Sequence, residues 1–179
     1  IMSQIKVNSI IPVAGVPTGG GGGIIQIKQT VQTSTSSSSA DSFTNIGPTV
    51  SITPTSSTSK ILVSFSLVGF GSAANYSYFF RLARGGSAIG VGDASGSRTQ
   101  ASTTIDTYGD GGLSAIQTSF EFLDSPATTS ATTYSIQFRR GTSSAGTFYI
   151  GRNDYDADEV GIGRYPTIIT AMEVSAWVH

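Results

Sequence analysis

Lys60-Ile61-Leu62-Val63-Ser64-Phe65-Ser66-Leu67-Val68 is the most regular stretch of the chain. Ile61, Val63, Phe65 and Leu67 recur at every second position. Successive side chains of an extended strand point to opposite faces, so these four share one side. The reading is a β-strand with one face in a core. The same spacing repeats downstream. Tyr78, Phe80 and Leu82 line one side of Tyr76–Arg84, and Gly85-Gly86-Ser87 turns the chain into Ala88–Val91. Ile116, Phe120 and Phe122 share a face, as do Tyr134, Ile136 and Phe138, and then Phe148 and Ile150. A last strand is predicted over Thr167–Trp177.

Upstream, Thr49–Thr53 reads as a short strand stopped by Pro54, and the polar run Thr33–Ser42 reads as a loop. Ile25, Ile27 and Val31 alternate with Gln26, Lys28 and Thr30 in a further strand. No window of helical length carries a 3.6-residue apolar period, and β-branched, aromatic and hydroxyl residues dominate. Short strands separated by Gly/Ser/Asp turns predict an all-β fold. The expected architecture is an antiparallel, jelly-roll-like β-sandwich over residues 24–179, preceded by an extended N-terminal arm over residues 1–23.

Composition narrows the function. The 179 residues hold no Cys and a single His, the final residue His179. Disulfides, thiolate metal sites, Ser-His-Asp catalysis and His-ligated zinc are excluded on that basis. Charged residues make up 12% and the net charge is -1, which is no footprint for nucleic acid. No run of 18 apolar residues is present, so no helical membrane insertion is expected, and Ile1–Ile11 lacks the apolar core of a secretion signal. Gly counts 22, and Ser and Thr together about 50, a composition far from the globular average.

The remaining motifs are weak. Gly90-Val91-Gly92-Asp93-Ala94-Ser95-Gly96 has the wrong glycine spacing for a dinucleotide loop, and no helix pattern or Lys-Ser/Thr follows it. Asp154-Tyr155-Asp156-Ala157-Asp158-Glu159 is the one dense acidic cluster and the one candidate for calcium. Glu159 stands where an EF-hand loop needs Gly, and Tyr165 where it needs Glu, so that motif fails. Asn75-Tyr76-Ser77 matches a glycosylation acceptor, a triplet common by chance. Seven Arg against three Lys suit either surface ion pairs or subunit contacts. No catalytic residue, cofactor or metal is expected.

Several segments resemble a module of tailed-bacteriophage structural proteins, the tail-fibre-like knobs. The matching runs are Ser59-Lys60-Ile61-Leu62-Val63, Phe79-Phe80-Arg81-Leu82 and Ala88–Ala94. Ser97-Arg98-Thr99 follows, then the most specific run, Ser119-Phe120-Glu121-Phe122-Leu123-Asp124-Ser125-Pro126-Ala127-Thr128-Thr129. Tyr134-Ser135-Ile136-Gln137 and Thr167–Glu173 complete it, and Ile5-Lys6-Val7-Asn8 is similar to the start of small cyanophage structural proteins. The resemblance implies a jelly-roll-like knob that assembles as a homotrimer on a virion surface, made in the host cytoplasm.

The arm fits that expectation. Ile5, Val7, Ile10 and Ile11 are apolar groups with no core of their own, and Gly19–Gly23 lets the chain bend before the body. We expect the arm to dock on another virion protein, a major capsid or tail protein. With no repetitive shaft ahead of the knob, a capsid decoration or cement protein is the first expectation. A short tail fibre or receptor-binding tip is the alternative, with Tyr76, Tyr155 and Tyr165 as stacking faces for host surface polysaccharide.

Overall fold

The computed structural model describes residues 23–108 and 114–175. The docking residues Ile5, Val7, Ile10 and Ile11 lie outside the described residues. The described chain is all β. Its strands, in order, are β1 (Ile24–Gln32), β2 (Ser36–Ser38), β3 (Thr44–Ile52), β4 (Lys60–Gly71), β5 (Ser77–Arg84), β6 (Ser87–Ile89), β7 (Thr103–Asp106), β8 (Ile116–Asp124), β9 (Thr132–Arg140), β10 (Phe148–Ile150) and β11 (Thr167–Val174). A single 3-10 turn, Ser143–Ala145, interrupts them.

Two antiparallel sheets result. In the six-stranded sheet β4 is the spine. One edge pairs with β8, and the other pairs first with β11 and then, near Gly71, with β10. β1 adds outside β11 and β2 outside β10. The five-stranded sheet runs β3-β9-β5, with β7 and β6 sharing the far edge of β5. Leaving aside the short β2, β6 and β10, the pairs β1–β11, β3–β9, β4–β8 and β5–β7 are the rungs of one long hairpin rolled up on itself. The result is the all-β antiparallel sandwich expected from the sequence.

The core lies between the sheets. Ile61, Val63, Phe65 and Leu67 face Tyr78, Phe80, Leu82, Tyr134, Ile136 and Phe138, all buried. The rings of Tyr78, Phe80, Phe138 and Phe148 touch one another with centroids 5.0–6.3 Å apart, in tilted, edge-on and stacked pairs. Gly85 and Gly86 take φ of +54° and +87° in the β5–β6 turn, the left-handed pair of a two-residue hairpin.

Four elements differ from the sequence reading. β3 begins at Thr44, because a register shift between Asn45 and Thr49 absorbs Gly47 and Pro48 without ending the ladder. β2 forms inside the run read as a loop, held by backbone pairing to β10. β7 was not predicted, since only Ile105 among its four residues is apolar. The strand after the Gly85-Gly86 turn stops at Ile89, and Gly90 turns away at φ +60°.

One buried carboxylate ties the edge of the six-stranded sheet together. Glu173, fully buried on the core side of β11, accepts hydrogen bonds from Gln26 Nε2 (2.6 Å), Thr55 N (2.7 Å) and Thr55 Oγ1 (2.7 Å). Burial by itself raises the pKa of a carboxyl group. The donors Gln26, Thr55 and Ser59 outweigh that and hold Glu173 below its ordinary value. The charged form is therefore favoured by folding. Its contribution is fully present above the carboxylate range of an unfolded chain and is lost as pH falls through the depressed pKa.

Three substitutions test this packing. Glu173→Gln should flatten the loss of stability as pH falls below the ordinary carboxylate range, read as a smaller shift of the urea midpoint than in wild type. Gly71→Ala should lower stability by about 1–3 kcal/mol, because the added methyl meets the Tyr78 ring in a packed core. Gly161→Ala, with open space around it, should stay within about 0.5 kcal/mol in the same denaturation series.

Candidate interaction surfaces

Strand direction assigns each loop to an end of the sandwich. β1 starts where β11 finishes, and Gly23 N donates to Ser175 Oγ (2.9 Å) while Ser175 N donates to Gly23 O (3.1 Å). Both described ends of the sandwich chain thus leave at one corner, beside Lys60 at the start of β4. The twelve residues of β4 lead away from that corner over about 40 Å. Tyr76, ahead of β5, belongs to the far end. The 151–166 connection carrying Tyr155 and Tyr165 also starts and finishes in the far half, against Val68 and Gln32.

The three tyrosines are not equivalent there. Tyr155 is half exposed. Tyr165 is partly covered, its ring against Gly163 and its N–H donating to Gly151 O (2.9 Å). Tyr76 packs against the hydrophobic core, so little of its ring is left to stack on a sugar. The sequence reading makes Tyr76 the first residue of the strand Tyr76–Arg84, where alternation gives it the same face as the buried Tyr78; β5 begins one residue later, at Ser77.

The acidic loop is tied up by arginines. Asp156 meets Arg164 Nη2 at 2.5 Å and Arg152 Nε at 3.6 Å, and the Arg152 guanidinium also lies 3.8 Å over the Tyr149 ring. Among the described residues no three His, Cys, Asp or Glu side chains converge to hold a metal ion. Arg140 clamps Asp41 through Nε–Oδ1 (2.6 Å) and Nη2–Oδ2 (3.1 Å), which lowers the Asp41 pKa. These arginines act as ion pairs within the subunit.

A second buried carboxylate, Asp124 at the end of β8, accepts from Arg84 Nη1 at 2.9 and 3.0 Å and from the Tyr134 hydroxyl at 2.7 Å. Burial, then the adjacent carboxylate, push the Tyr134 phenol far above its ordinary range. Such a hydroxyl is a hydrogen-bond donor and no acid at neutral pH. The trio joins the two sheets at the terminal corner. Isolated Asp and Glu residues in strands carry no spacing signal, so neither Asp124 nor Glu173 stood out in the sequence.

Register also defines the outer faces, since directly paired residues lie on the same side of a sheet. Outside the five-stranded sheet the side chains are polar and bonded to one another. Arg81 Nε donates to Gln137 Oε1 (2.9 Å), Ser135 Oγ donates to Asn45 Oδ1 (3.1 Å), and Arg81 caps the Phe43 ring at 3.8 Å. Next to it, Phe79 and the 92–104 segment enclose a cleft of about 340 Å³ lined by Asp93, Arg98, Gln100 and Thr104.

Outside the six-stranded sheet the pattern is reversed. Ile27 pairs with Met172, Met172 with Leu62, and Leu62 with Leu123, an aliphatic row across all four long strands. Ile24–Val174 extends it along the edge, and a further aliphatic pair, Val31–Ile168, stands beyond the polar pair Gln29–Thr170. Ile24, Ile27, Val31 and Leu123 are each about half exposed. A neighbouring row, Gln29-Thr170-Ser64-Glu121, is polar and floors a shallow hollow of about 510 Å³. No protein-family model and no curated protein sequence matches the chain.

Proposed function

We propose that this chain is a structural subunit of a bacteriophage virion, a homotrimeric β-sandwich displayed on the particle surface. In this reading it is a capsid decoration or cement protein, docked on a capsid or tail protein by residues 1–23. The observation that carries the reading is the polarity of the sandwich. Gly23 and Ser175 bond to each other at one corner, so the arm leaves from one end, and the longer connections are presented about 40 Å away. One end anchors and the other faces outward. The resemblance of the β4, β8 and β11 segments to phage structural modules supplies the virion context.

The rest of the chemistry agrees with a passive role. Among the described residues, the buried carboxylates Glu173 and Asp124 are saturated by neutral donors or an arginine inside the fold. Neither opens on a cavity with a second titratable group, which acid-base chemistry requires. A Ser/Thr/Gly surface with no Cys presents few groups that oxidation alters.

A receptor-binding tip is the second reading, and the cleft beside Phe79 favours it. An aromatic ring flanked by Asp93, Arg98, Gln100 and Thr104 offers a sugar both an apolar face and polar partners. That cleft is a better stacking platform than Tyr76.

Full-length protein added to particles lacking it should restore density at capsid faces by electron microscopy, and a truncation starting at Ile24 should not. Density on the tail, with saturable binding to host polysaccharide, would select the receptor-binding tip. Restoration by the truncated chain would remove the arm from the mechanism.

A further inference from the structure

We propose that the outer face of the six-stranded sheet is where copies of this chain meet. The inference deepens the homo-oligomer proposed above and rests on it. The decisive observation is the orientation of β1. Its polar residues Gln26 and Lys28 lie on the side of the sheet that faces the sandwich, since they pair with the core-side residues Glu173 and Ala171. Of its four apolar residues, Ile24, Ile27 and Val31 point away, and Ile25 lies in the register irregularity between Ile24 and Gln26. A one-residue change of register exchanges the two sets. A strand with no partner outside would gain by turning its isoleucines inward, yet Gln26 is fastened to Glu173 and to Thr53 O (2.7 Å) on the inner side.

The apolar residues continue across the sheet. Ile27, Met172, Leu62 and Leu123 form an unbroken row, so the exposed aliphatic surface is contiguous. Four strands about 4.8 Å apart and nine residues long make a face of about 550 Å². That whole face, with its polar row included, is about two thirds of the roughly 800 Å² that each partner contributes to a standard stable interface, and its aliphatic part is of the size that marks an interaction patch on a single chain.

Charge selects the occupant. Among the outward positions of β1, β4, β8 and β11, only Lys60 and Glu121 are charged. One cation cannot hold nucleic acid or an acidic polysaccharide. No exposed aromatic ring points outward on these strands for a sugar to stack on: Phe65, Phe120 and Phe122 belong to the core side, and Phe70, which has the outward orientation at the far end of β4, is buried. What fits a neutral aliphatic face with one positive and one negative group is another surface of the same kind. The chain carries such a surface itself, with Lys60 of one copy available to Glu121 of the next.

Sedimentation velocity of the full chain, run over a hundredfold range of concentration, tests this with two kinds of variant. Wild type should sediment at three-chain mass. Ile27→Asp with Leu123→Lys keeps the net charge and should sediment at one-chain mass with an unaltered far-ultraviolet circular dichroism spectrum. The chain has no cysteine, so Leu62→Cys and Ser51→Cys each introduce a unique thiol, in the aliphatic row and on the polar outer face. The Leu62→Cys thiol should react with a maleimide at least tenfold more slowly than that of Ser51→Cys. Wild type at one-chain mass throughout would overturn both the oligomer and this face. Slow labelling of Leu62→Cys in that monomer would show the chain's own residues 1–22 covering the row. Three-chain wild type with equal labelling rates would leave the homotrimer standing and overturn this face as its contact. If the double variant does not fold, the labelling rates alone decide.

Discussion

The hydrogen bonds that Glu173 accepts set the edge of the larger sheet. A carboxylate excluded from water needs donors, and Gln26 and Thr55 are the ones within reach. Gln26 is on β1 and Thr55 on the β3–β4 connection, so one side chain on β11 positions three segments. The consequence for β1 is its register. Once Gln26 is fixed on the inner side, the period of two sends Ile27 and Val31 outward. The two faces of the sheet are therefore decided by a polar contact inside the sandwich rather than by where the apolar residues alone would go. That contact costs more to break than a surface pair, because removing either partner strands a buried group.

Much of this fold was legible from alternation. β4, β5, β8 and β9 each carry three or four large apolar residues at every second position, and all four strands appear with those residues inside. The Gly85-Gly86 turn was equally plain, because few other pairs accept two left-handed residues. Strands held by backbone pairing were hidden. Ser36–Ser38 has no apolar side chain, and Thr103–Asp106 has one. The Gly47-Pro48 break misled in the opposite direction, since a register shift lets the ladder continue past it. For β1 the alternation was visible but its sense was not. A period of two states that a strand has an apolar side and leaves open which side meets the core. The interaction surfaces were less legible still. The sequence reading offers Tyr76 as a stacking face although its place in the alternation is that of Tyr78, and it is partly buried against the core. The cleft beside Phe79 and the aliphatic row are each assembled from segments far apart in sequence, and only pairing brings them together.

The contrast between the two outer faces carries its own argument. Both sheets are built from the same Ser/Thr-rich alternating sequence, and both bury one side in a common core. On the five-stranded sheet, the outward positions include Arg81, Gln137, Ser135 and Asn45, whose polar atoms bond to one another. Such a network is content against water. On the six-stranded sheet the outward positions mix a polar row, Gln29-Thr170-Ser64-Glu121, with an aliphatic row, Ile27-Met172-Leu62-Leu123, whose side chains have no such partners. Selection for solubility acting on an isolated subunit has no reason to treat the faces differently. A subunit whose second face is covered in its working state has one.

Low charge sharpens that argument. With 12% charged residues and a net charge of -1, repulsion between copies is weak, and an uncovered aliphatic face would lead to open-ended association. Closed assembly is the remedy that keeps the face. In a cyclic trimer three contacts form while the freedom of only two chains is lost, so each contact is asked for less than in a dimer. Closure also leaves the corner where Gly23 and Ser175 meet on the same side of every copy, since rotation about one axis keeps all three sandwiches parallel along it. Three arms emerging together from one end would bind a virion surface with the gain in effective concentration that multivalent attachment brings. In the proposed trimer the outward aliphatic row and the placement of the termini would serve one requirement: a knob that closes on itself and is held by its arms.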